Sequence, residues 1–166
     1  MLVQYVSRGN RLFLFQVATS RHSENPSLMK NSDSLSVSVV KPQQFSEGTL
    51  QTPGSVRLAA VCAELGIHSG LWGGTFLVEP GAQTGIHHHG AQETVVYVLE
   101  GESHVRWGER GEHAVTVRAG DFLHVPAWLV HREINPSQDM PFRWVVVRSS
   151  SEPIVVNLPD DVWSRR

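Results

Sequence analysis

The sequence predicts an all-β domain, a sandwich or closed barrel, on three observations. Short runs of β-branched and aromatic residues recur from about residue 55 onward, Gly and Pro punctuate them at close intervals, and no window past residue 70 carries a helical apolar stripe. Closed or doubled sheets also remove the exposed edges that so many strands would otherwise present.

The strands follow in order. Residues 73–78 end in the turn Glu79-Pro80-Gly81, and residues 94–99 end at Glu100-Gly101. Residues 104–107 stop at Gly108, 113–117 at Ala119-Gly120, and 122–125 at Pro126; 142–147 and 154–156 complete the set. Upstream, the apolar run 58–63 contains Cys62, the only cysteine, read as an inert core thiol. A single thiol forbids an intrachain disulfide and suits a reducing cytoplasm.

With 166 residues the chain fits one domain. Residues 50–166 are expected to form it, and 1–49 a mostly irregular N-terminal extension, rich in Ser, Gln and Pro over its second half. Within that extension, 1–28 is expected to be disordered, or translation to start at Met29. The apolar run 12–18 follows Arg8 and Arg11 as in a secretory leader, but it is short, and Arg21, His22 and Glu24 stand where a small-residue cleavage site belongs. Charged residues make up 18% of the chain and the net charge is -2, so no field points to nucleic acid or an anionic membrane. No apolar stretch approaches the length of a membrane span.

The chemistry concentrates in residues 81–93. In an extended chain alternate side chains share a face, so His87 and His89 point together and His88 points away. After a turn at Gly90, Glu93 opens the next strand and can add a carboxylate. Imidazoles with one carboxylate suit a divalent ion: Fe, Mn, Ni, Co or Zn. Taken alone, the triplet is equally a solvated loop with incidental metal affinity.

A second segment, residues 120–135, bears on that choice. Gly120, Pro126, His131 and Asn135 match the second motif of the cupin superfamily, with Trp128 where the motif has Gly; Gly81, His87, His89 and Glu93 match the first. The chain therefore resembles a small, single-domain bacterial cupin. The resemblance implies a double-stranded β-helix (a jelly-roll, RmlC-like barrel) holding one divalent metal ion per chain through His87, His89, Glu93 and His131. The closing glycine departs from the pattern: Gly101 comes one residue late, so counting back from it puts Thr94 where the acid belongs. A β-bulge within 94–99 absorbs the extra residue. A bulge after Glu93 keeps its carboxylate inward as a ligand, the favoured outcome; one before it turns Glu93 outward and leaves three histidines.

Around the ligands, Gln83, Gln92, Tyr97, His124 and Arg106 are candidates for the pocket or for supporting the metal site, and Arg143 for an anionic substrate. Each has a plainer reading as a core-filling or solvated side chain. His104 and His113 are expected at the surface. No residue is assigned a catalytic role, and no Ser-His-Asp arrangement or glycine-rich phosphate loop is present. The functional expectation is a metal-dependent dioxygenase, lyase or isomerase acting on a small organic metabolite. The rivals are a non-catalytic regulatory cupin that binds a small ligand or metal, and a metal-free sugar-binding or epimerase-like barrel. A homodimer is expected, with residues 40–56 and 142–148 as contact elements.

Overall fold

The computed structural model describes residues 36–164; the expectations for residues 1–28 lie outside them. Ten strands follow in the order β1 (Ser55–Val61), β2 (Trp72–Val78), β3 (His87–His88), β4 (Thr94–Glu100), β5 (Glu102–Trp107), β6 (His113–Arg118), β7 (Phe122–Val125), β8 (His131–Ile134), β9 (Phe142–Arg148) and β10 (Val156–Asn157). Among the described residues only two single 3-10 turns, Pro42–Gln44 and Ala63–Leu65, interrupt this pattern.

The strands form two five-stranded antiparallel sheets, in the orders β1-β2-β9-β4-β7 and β10-β3-β8-β5-β6. This is a double-stranded β-helix. Alternation decides what each strand buries. In β4, Thr94, Val96 and Val98 face inward while Val95, Tyr97 and Leu99 face out; in β9, Phe142, Trp144, Val146 and Arg148 face inward. The core joins both sheets, with Val105 and Val117 of the second packed in one cluster with Phe76, Val98, Phe142 and Trp144 of the first. Phe76 and Trp144 stack at 5.0 Å between ring centroids. Cys62 is buried in the same cluster.

Two connections close the end of the sandwich away from the histidines. Gly101 turns β4 into β5 with φ +78, and a Cβ there would meet the Pro141 carbonyl oxygen at 2.5 Å. Only glycine fits this turn. Asn135, buried just after β8, donates from Nδ2 to the carbonyls of Val78 (3.1 Å), Glu79 (3.1 Å) and Met140 (2.8 Å), and its Oδ1 accepts from the Ser137 amide. It thereby ties the end of β2 to the β8–β9 connection. Asn135→Ala orphans these carbonyls and is expected to cost about 2–3 kcal/mol in urea unfolding; a loss below about 0.5 kcal/mol would contradict this role.

The lead-in is irregular but engaged. Ser46 bridges Ala59 on the edge strand, and the Gln51 side chain exchanges hydrogen bonds with the Arg57 backbone at 2.8 and 2.9 Å.

Candidate metal centre

β3 and β8 pair with His87 directly opposite His131, and His89 follows β3 on the same face as His87. All three side chains are buried. Their ring centroids lie 4.4–5.0 Å apart, and one ligand-type atom of each falls within 4.8 Å of the others. His88 leaves the opposite face, where its Nδ1 accepts from the Gly90 amide and its ring lies 5.7 Å from Trp128.

Backbone carbonyls set the tautomers. His87 Nδ1 meets Gly85 O at 2.9 Å, His89 Nδ1 meets Ile154 O at 3.0 Å, and His131 Nδ1 meets Leu129 O at 2.8 Å. A carbonyl only accepts, so each Nδ1 carries the proton and each Nε2 is left with a lone pair. Nε2 of His131 is buried and has no hydrogen-bond partner. Burial lowers the His87 pKa to about 4 and the His89 pKa to about 2, so both rings are neutral at pH 7. Nitrogen lone pairs turned toward one point repel one another and attract a cation. The set fits a divalent metal ion.

A carboxylate does reach this site, but from β8. Glu133 follows His131 by two residues and shares its inward face; its Oε1 lies 3.4 Å from His131 Nε2. Its Oε2 accepts from the Thr84 hydroxyl at 2.7 Å, and Thr84 Oγ1 accepts from the Glu133 amide at 3.0 Å. Burial alone would raise the Glu133 pKa. The imidazoles of His87 and His131, when they carry a proton, and the Thr84 hydroxyl outweigh it and hold the carboxyl well below the usual range. Arg57 and Arg148, both buried, line the same cavity. Its interior is narrow, about 10 Å³, the size needed for one water or ion.

Glu93 does not join the histidines. Its side chain is 61% exposed and its Oε2 lies 2.8 Å from His124 Nε2, on the outside of the barrel. The expected bulge exists, between Val98 and Glu100 in the register of β4 with β9. It follows Glu93, yet the carboxylate still points outward. The alternation of 94, 96 and 98 is unbroken, so Thr94 takes the inward position. Gln92 is buried beside the site and supports it indirectly. Its Nε2 donates to Glu152 O and Ser150 Oγ and its Oε1 accepts from the Ile154 amide, holding the segment whose Ile154 carbonyl orients His89.

The remaining candidates lie outside. Gln83 is exposed and pairs weakly with Arg132 at 3.4 Å. Tyr97 packs on Phe122 on the outer face of β4, and Arg106 donates to Gly111 O. Arg143 faces Glu100 at 3.8 Å, and His104 and His113 are on the surface as expected. Trp128 has φ +65. That conformation costs a non-glycine residue about 1 kcal/mol or more, which explains the glycine usual in the second motif.

Residues 74–148 match the cupin domain family model. No curated protein sequence matches the chain. Among solved structures it is similar to the polyketide cyclase RemF from Streptomyces resistomycificus, at 21% identity and TM-score 0.61, covering 78% of this chain and 92% of that one. It is also similar to oxalate decarboxylase from Bacillus subtilis (21%, TM-score 0.57, 66% of this chain and 29% of that one). A third is an oxalate oxidase in complex with the substrate analogue glycolate (25%, TM-score 0.57, 69% of this chain and 60% of that one).

Proposed function

Because the chain is a small cupin-domain protein, we propose that it is a metal-dependent enzyme acting on a small organic metabolite, with one divalent ion held by His87, His89 and His131. The observation that carries this reading is the locking of all three Nδ1 atoms onto backbone carbonyls, which leaves three buried Nε2 lone pairs turned toward one point. Bound there, the ion supplies Lewis acidity and vacant coordination positions. Glu133 offsets part of its charge, the carbonyls of Gly85, Ile154 and Leu129 orient its ligands, and the apolar walls of Val96, Val125 and Val146 exclude water. A set of three nitrogens leaves coordination positions open, which is compatible with dioxygenase, lyase and isomerase chemistry on the same metal.

The test is the metal content of protein purified without an affinity tag, together with oxygen uptake against a panel of small metabolites. About one ion per chain is expected, as for a preformed site. A content below about a tenth of that after incubation with Fe, Mn, Ni, Co and Zn would overturn the reading.

We further propose that a second copy of the chain covers the outer face of the first sheet. Val95, Tyr97, Leu99, Phe122 and Val147 are all exposed there, and Val95 sits opposite Val147. A row of apolar side chains on one sheet face is the kind of surface that pairs. Among the described residues no helix is long and apolar enough to cross a membrane, and a reducing cytoplasm suits the lone buried thiol. Sedimentation equilibrium at micromolar concentration is expected to give a dimer, and Val147→Asp a folded monomer. A monomeric wild type would rule the interface out.

A further inference from the structure

The interior around the histidines holds more positive charge than its one acid neutralises. Arg57 on β1 and Arg148 on β9 are each only 2% exposed. Burial lowers their pKa values, to about 10 and about 9, and both remain cationic at pH 7. Against two guanidinium groups stands one carboxylate, Glu133, so these three groups together carry one net positive charge. A divalent ion raises it to three.

The hydrogen bonding of these arginines is incomplete as well. Arg57 Nη1 donates to Leu50 O and its guanidinium lies 5.1 Å from the Phe76 ring centroid. Arg148 Nη1 donates to Ile154 O at 2.6 Å and its guanidinium lies 5.8 Å from the Trp72 ring. The Nε of each is buried without an acceptor, as is the Thr94 hydroxyl on the same cavity wall. A buried donor left unpaired costs about 1–3 kcal/mol, more when charged. Two such cations facing one cavity are costly unless an acceptor with negative charge enters it. The guanidinium fork matches a carboxylate better than any neutral group.

We propose that the ligand taken beside the histidines is a small carboxylate, selected by the charge and unpaired donors of Arg57 and Arg148. This deepens the metal-enzyme reading above and rests on it for the position of the ligand. The cavity limits the size. An interior of about 10 Å³ has room for little more than one water-sized group, so only the carboxylate head of a small anion enters it.

The test compares acetate with its neutral isostere acetamide by calorimetric titration at pH 8. Both are titrated into metal-loaded protein and into protein stripped with a chelator. Acetate is expected to bind at least about tenfold more tightly than acetamide in both forms, because the arginines remain when the ion is gone. Arg148→Gln and Arg57→Gln are each expected to weaken acetate about tenfold with acetamide and metal content unchanged, and Arg148→Lys, which keeps the charge without the fork, to fall between wild type and Arg148→Gln. Equal binding of the two probes to the stripped wild type would overturn the proposal, and so would unchanged acetate affinity in both glutamine variants. If those variants do not fold, the wild-type comparison decides alone. Metal content measured on the same samples reports separately: a protein that takes up no metal but prefers acetate refutes the metal reading and upholds the arginine pair.

Discussion

His131→Ala abolishes stoichiometric metal binding, with an expected loss of affinity beyond about a hundredfold. Three nitrogens are the proposed donor set, and His131 alone comes from β8, so its removal leaves two candidate ligands on a single segment. The substitution also removes the ring that lies 3.4 Å from Glu133 Oε1. Two controls separate a preformed site from a chelating loop. His88→Ala leaves affinity unchanged because its ring lies against Trp128 on the other face. Glu93→Gln does so because its carboxylate meets His124 in solvent. Calorimetric titration of the stripped proteins checks all three, and equal losses in His88→Ala and His131→Ala would show that no fixed geometry exists.

Glu133→Leu destabilises the metal-free protein by about 3–5 kcal/mol, the range for removing one member of a buried charged set. The cost arises in the residues left behind. Arg57 and Arg148 lose the only carboxylate lining their cavity, and the Thr84 hydroxyl loses its acceptor. Glu133→Gln restores an acceptor for Thr84 but not the charge, and falls between. Urea unfolding of the stripped protein measures both; a loss below about 1 kcal/mol in Glu133→Leu would mean that solvent already neutralises the arginines.

The strands and the three histidines were legible because each depends on a short-range rule. Turn residues bound 73–78, 94–99 and 142–147 closely to β2, β4 and β9, and alternation alone puts His87 and His89 on one side. Glu93 was misjudged because its spacing from His89 crosses a turn, where counting residues no longer counts faces. Gly90 at φ +56 and the Gln92 amide bonded to His89 O reset the parity, and Thr94 then leads the inward series. Glu133, Arg57 and Arg148 were passed over although the same rule finds them. Glu133 is two residues from His131, Arg57 two from the buried Ala59, and Arg148 two from Val146. A charged residue in phase with a core face is the signal, and it was overlooked because charge suggests solvent. Tyr97, His124 and Arg106 failed the converse test, since their phase places them outside. The carbonyl partners of the Nδ1 atoms were not legible, because Ile154 lies 65 residues from His89.

The place of β9 between β2 and β4 governs how this chain can fold. Residues 142–148 follow β1 to β8 in the sequence, yet they form the middle of the first sheet and hold the β1–β2 hairpin to β4. Until they arrive, β2 and β4 each present an open edge. The pairings that close them, such as Gly74 with Val146, join residues far apart in sequence, and loops of that length close slowly. Assembly of the first sheet is therefore delayed until β9 is synthesised, and a nascent chain stopped at Pro141 has two unsupported edges open to pairing with other chains.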